Sequence, residues 1–209
     1  DLMFFSKKNV DGEVQLFFCQ KEGRKWGEPA LVKGSVNEGN WNAYPFYLED
    51  SGLLYWSSDR DGDKDIYVCK FDPSTGNADA ANPLFYSNTD GDDIAPFFRN
   101  KTFYCASNGI PGFGGFDVYS TTTMVRENGI LLPGMVLNMG ASFNTWNDET
   151  QLVWLTDNTS VLKRADWKGN ATYLLLKDLP KEQEPYLEIQ MPDIRMEMDT
   201  ISHSKNPTR

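Results

Sequence analysis

The feature that most restricts what this chain can fold into is a repeat of about fifty residues. An aromatic or apolar strand followed by small polar residues occurs at Met3-Phe4-Phe5-Ser6, Tyr55-Trp56-Ser57-Ser58, Tyr104-Cys105-Ala106-Ser107 and Trp154-Leu155-Thr156-Asp157. With Phe5, Trp56, Cys105 and Leu155 as equivalents, the spacings are 51, 49 and 50 residues. Such a period marks supersecondary units that bury their faces only by stacking on one another.

Other signals keep the same phase. A second strand follows the first three copies, at Gln15–Cys19, Asp65–Cys69 and Asp117–Thr121. Between the two strands lie Asp11-Gly12, Asp61-Gly62 and the longer stretch Asn108–Gly115, whose Asp-Gly and Gly-rich steps supply the positive φ of hairpins. Tyr44-Pro45-Phe46 and Ala95-Pro96-Phe97 lead into the aromatic strands, with proline expected at a strand's first residue. Glu28–Val32, Asn82–Tyr86 and Leu132–Val136 close each unit. The fourth copy loses its hairpin to Asn158–Lys163. Helical 3.6-residue periodicity is missing, which disfavours βαβ architectures. The expected fold is all-β, a propeller or partial propeller of about four blades with approximate bounds 1–33, 34–86, 87–136 and 137–179. A linker follows at 180–185, and then Tyr186–Met191 and Ile194–Met198 alternate as half-buried strands, either closing the ring or opening another domain. The chain opens inside a strand-like run, DLMFFS, so further sequence is expected upstream.

Composition limits the partners. A net charge of −10 over 209 residues argues against phosphate-backbone recognition and docking on anionic lipid, and no apolar run is long enough for direct membrane insertion. The three cysteines, Cys19, Cys69 and Cys105, have no C-x-x-C spacing, so neither a disulfide framework nor a zinc site is expected, although one pair remains open in an oxidising compartment.

The repeat resembles the WD40-like propeller repeat of the TolB type. Residues 44–72, YPFYLEDSGLLYWSSDRDGDKDIYVCKFD, follow that pattern nearly throughout. Residues 95–121 are similar to a variant carrying Gly112-Phe113-Gly114-Gly115-Phe116-Asp117, associated with cell-envelope proteins of Bacteroidota. In that group the propeller often accompanies an OmpA-like domain, and some members belong to type IX secretion and gliding machinery. The resemblance covers about residues 1–165 and departs at Lys7-Lys8 and in the missing fourth hairpin. It implies a place in the bacterial envelope (periplasm, outer-membrane associated or cell surface), with other envelope proteins as partners. No OmpA-like domain lies within these residues, so peptidoglycan binding is not assigned to them.

Candidate chemistry is sparse. Asp59, Asp61, Asp63 and Asp65 alternate in DRDGDKD, a candidate set of calcium ligands, yet Gly62 sits off the EF-hand position and a plain hairpin turn explains the same residues. No cofactor other than calcium is suggested. Gly112, Gly114 and Gly115 lack the lysine and following helix of a phosphate loop. The only histidine, His203, lies near the end of the chain, so no nucleophile–histidine relay is expected. The pairs Asp92-Asp93 and Asp148-Glu149 could serve as glycosidase carboxylates, but their shared repeat position points to capping of backbone N–H groups. Trp41, Phe113 and Trp146 fall in connections, either as a sugar- or peptide-binding rim or as packing over blade edges. The expectation from sequence is a non-catalytic protein-binding scaffold. The alternatives are an accessory propeller of a peptidase or carbohydrate-active enzyme, or a glycan-binding module; the G-x-S-x-G elbow of a peptidase domain is not present.

Overall fold

The computed structural model describes residues 1–125 and 131–177, which fall in one compact unit. The expected strands at 186–191 and 194–198 lie outside the described residues. Four antiparallel sheets follow one another along the chain. The first holds β1 (Leu2–Lys8), β2 (Val14–Glu22), β3 (Lys25–Trp26) and β4 (Ala30–Leu31). The second holds β5 (Asn42–Leu48), β6 (Leu53–Ser58), β7 (Asp65–Asp72), β8 (Asn77–Ala78) and β9 (Asn82–Pro83). In the third are β10 (Asp93–Arg99), β11 (Thr102–Ser107), β12 (Asp117–Val125), β13 (Leu131–Pro133) and β14 (Leu137–Asn138). The fourth contains β15 (Asp148–Thr156), β16 (Thr159–Ala165) and β17 (Ala171–Lys177). The only helical piece among the described residues is one 3-10 turn, Ser35–Asn37. This is a four-blade β-propeller.

The period of two along a strand explains how the blades hold together. In β6 every residue is buried, so both sheet faces are covered. Leu54 and Trp56 enter a core with Leu16, Phe18 and Val32 of the first blade. Leu53 and Tyr55, one step out of phase, enter a core with Phe98, Phe103 and Cys105 of the third. Tyr104 stands where Tyr55 stands one blade earlier, and it packs with Leu152 and Leu162 of the fourth blade. The cores therefore lie between blades.

An asparagine locks each junction. Asn37, Asn88 and Asn144 each accept from the backbone N–H of Leu16, Ile66 or Val118 (2.7, 3.0 and 2.7 Å) and donate Nδ2–H back to the same residue's carbonyl. That two-way bond satisfies a strand end which the next blade would otherwise leave without partners.

Three sequence expectations change. Pro45 and Pro96 are not first residues but sit mid-strand at register shifts in β5 and β10, where a bulge removes the need for an N–H. Tyr44 and Ala95 ahead of them hold positive φ, 53° and 58°. Leu155 is not the fourth equivalent of Cys105: it is 60% exposed, whereas Leu162 is fully buried and pairs with Leu174 as Cys105 pairs with Tyr119. Residues 148–156 form the blade's leading strand, and the fourth hairpin is at 166–170 rather than lost at 158–163.

Candidate functional site

The leading strands β5, β10 and β15 begin where the strands beside them end, through the pairs Asn42 with Ser58, Asp93 with Ser107 and Glu149 with Arg164. Hairpins 59–64, 108–116 and 166–170 and loops 34–41, 87–92 and 139–147 consequently emerge at the same end of their blades. That loop-bearing end collects the chemistry.

Its recurring carboxylates organise backbone. Asp93 accepts from the N–H and hydroxyl of Thr89 (2.6 and 2.9 Å), and Glu149 accepts from those of Thr145 (both 2.8 Å). Asn42 does the equivalent task in the second blade by donating to the carbonyl of Glu38. Glu149 is also paired with Arg164 at 2.5 Å. Asp92 and Asp148 reach back across a blade junction, accepting from the N–H of Lys64 and Phe116 (both 3.0 Å).

One junction differs from the others. Asp65, opening β7, and Asp93, opening β10, are brought together where the Asp93 N–H donates to the Lys64 carbonyl at 2.5 Å. Lys64, beside Asp65, is held by Asp92 at 2.5 Å, and Asp61 accepts from the Tyr67 hydroxyl at 2.6 Å, with the Arg60 guanidinium over the Tyr67 ring. One carboxylate oxygen of Asp65 and one of Asp93 are buried without a hydrogen-bond partner. Burial, reinforced by Asp63, Asp93, Asp61 and Asp92, pushes the Asp65 carboxyl up to about 7. Burial likewise raises Asp93 to about 6, with Asp63 adding to it. A carboxyl that still carries a proton near neutrality beside solvent-reached loops, as Asp65 does in part, is a common starting point for acid catalysis.

The alternating aspartates are not gathered around one point. Asp59 accepts from the N–H groups of Asn40 and Trp41 (2.9 and 2.8 Å), and Asp61 is engaged by Tyr67. Among the described residues no three His, Cys, Asp or Glu side chains are placed to hold a metal ion. The Gly-rich hairpin packs on the next blade: a Cβ at Gly114 would strike the carbonyls of Thr145 and Asn147, and one at Gly115 the Asp148 carboxylate.

The three rim aromatics separate into two kinds. Trp41 is half-buried, edge-on to Tyr44 (centroids 5.8 Å) and packed with Ile94, Ala95 and Ala106 of the third blade, with the Lys64 ammonium 5.5 Å from its ring. Phe113 and Trp146 are 51% and 74% exposed. Sequence reasoning missed Trp167, 79% exposed in the fourth hairpin, because that hairpin was placed too early in the chain. It also missed the Asp65–Asp93 junction. The signal was available in the repeat, since Asp65 and Asp117 both open third strands while Asp93 opens a leading one.

No protein-family model and no curated protein matches this sequence. Solved structures do match. The α-L-arabinofuranosidase from Lactobacillus brevis is 10% identical with a TM-score of 0.52, covering 84% of this chain and 68% of its own. A GH43_12 protein from a capybara gut metagenome is 15% identical with a TM-score of 0.54, covering 84% of this chain and 37% of its own. TolB from Acinetobacter baumannii is 12% identical with a TM-score of 0.46, over 86% and 41%. The shared property is the propeller fold. The chain spans well under half the length of the second and third of these proteins. The expectation that this chain is not an enzyme is corrected by these matches, because the fold it shares is one on which an arabinofuranosidase is built. A resemblance specific to OmpA-linked or type IX secretion proteins finds no counterpart among them.

Proposed function

We propose that this propeller belongs to a carbohydrate-active enzyme and meets its glycan at the loop-bearing end. The observation that carries the reading is the Asp65–Asp93 junction. It sets a partly exposed carboxyl beside a buried one, with the neighbouring lysine neutralised by Asp92. Glycoside cleavage needs a protonated carboxyl to deliver a proton to the leaving oxygen while a second carboxylate works near it. Asp65 is suited to the first task. Asp93, buried and bonded to Thr89, positions the junction and keeps the Asp65 proton in place. The arabinofuranosidase match supports arabinose-containing glycans as the first substrates to try.

The test is hydrolysis of arabino-oligosaccharides by the chain and its Asp65→Asn variant across pH. The reading expects turnover that Asp65→Asn lowers by about a hundredfold or more, with sugar binding kept. Equal turnover by the variant, or none by either protein, would contradict it. An envelope location with envelope proteins nearby is proposed on the repeat resemblance alone; cell fractionation with an antibody to the chain checks it.

A further inference from the structure

We infer that Phe113 and Trp146 together form a stacking platform for an uncharged sugar, on the junction between the third and fourth blades. The inference rests on the carbohydrate reading and names a subsite apart from the Asp65–Asp93 junction.

The two rings come from touching loops. Gly114, next to Phe113, lies so close to the carbonyls of Thr145 and Asn147, the residues flanking Trp146, that no Cβ fits between them. Both loops are fixed. Asp117 accepts from the N–H groups of Phe113 and Gly114 (2.5 and 3.2 Å) and from Asn138, so the aromatic tip of the hairpin is held to its own base. Asp148 holds Phe116, and Glu149 holds the N–H and hydroxyl of Thr145. Thr145 in turn accepts from the N–H of Asn147, pinning both sides of Trp146. Large rings exposed on braced backbone have already met the ordering cost that weakens binding by mobile loops. Both are loop residues outside the buried cores, unlike Trp41, which is tied into one.

Charge selects the occupant. Arg164, which pairs with Glu149 at the start of the fourth blade's leading strand, is already engaged by that carboxylate. The platform itself rests on Asp117, Asp148 and Glu149, so a phosphate or uronate seated on it would meet carboxylates directly beneath the rings. An uncharged sugar offers instead a face of C–H groups to the rings and hydroxyls to the backbone around them, with no charge to desolvate.

Tryptophan fluorescence and calorimetry on the full chain decide the matter, using arabinotetraose, xylotetraose and cellotetraose as neutral probes and tetragalacturonate as the anionic one. At least one neutral probe should bind and shift the emission. Trp146→Ala should weaken that binding about tenfold and Phe113→Ala by less, while Trp146→Phe restores most of it. Neutral-sugar binding unchanged in Trp146→Ala would overturn the platform and leave the carbohydrate reading standing. Preference for the anionic probe, or burial of Trp146 by self-association or a bound protein, would overturn it too. Silence from every probe, together with absent hydrolysis, would remove both.

Discussion

The second blade and the fourth are built from the same repeat but live in different surroundings. In the second blade β6 has no exposed residue, and its side chains alternate between a core shared with the first blade and one shared with the third. In the fourth, β17 is exposed along most of its length, with Tyr173 and Leu175 open on one face while Leu174 and Leu176 pack inward. Packing joins the first blade to the second, the second to the third and the third to the fourth; among the described residues no comparable packing joins the fourth to the first. Among the described residues an interior blade is therefore completed by two neighbours and the fourth by one. The same β unit has a different stability wherever a neighbour is missing.

The largest expected effect breaks this contrast at its strongest point. Trp56→Ala removes a fully buried ring from the junction between the first two blades and should cost about 3–5 kcal/mol in denaturant unfolding. Leu175→Ala, a deletion of similar chemistry on the open face, should stay within about 0.5 kcal/mol. Similar costs at both positions would mean that the fourth blade is covered after all. Next come the junction asparagines: Asn88→Ala and Asn144→Ala each orphan a buried N–H and carbonyl and should cost about 1–3 kcal/mol.

The third prediction concerns pH. Asp65 and Asp93 hold protons in the folded state to about 7 and about 6, whereas an unfolded aspartate loses its proton near 4. Between these limits the folded chain binds more protons, so stability falls as pH rises from about 4 to about 7 and then levels off. The loss should be on the order of 3–4 kcal/mol, about 3 of it from the fully buried Asp93, because the partial exposure of Asp65 to solvent discounts its larger rise. Asp65→Asn should flatten the slope; an undiminished slope would place its origin elsewhere. The smallest expected effect is that of calcium. With Asp59 and Asp61 each already engaged, added calcium should leave the melting temperature unchanged, and a rise would restore the four-aspartate site.

The repeat made the all-β propeller legible because its strands differ in local chemistry: aromatic pairs, Asp-Gly turns and proline entries each carry a geometric requirement. Copy four was misread because Trp154-Leu155-Thr156 imitates the aromatic motif in composition while lying one strand too early. Only the pairing of Glu149 with Arg164 and of Leu162 with Leu174 fixes its phase. The site was less legible still. Asp65 and Asp93 stand 28 residues apart, and nothing in either stretch states that a blade junction will bring them together with too few donors. The aromatic rim was visible as residues but not as a pair, because the approach of Gly114 to the Trp146 loop belongs to packing between blades.

The claim beneath all of this is that each blade is finished by the next. Hydrogen–deuterium exchange resolved to single strands tests it most directly. Slow exchange across β6, β7 and β11, and exchange in β17 faster by a factor of about a hundred or more, is the expected pattern. Equal protection in β6 and β17, or protection that is greater in the fourth blade, would contradict it.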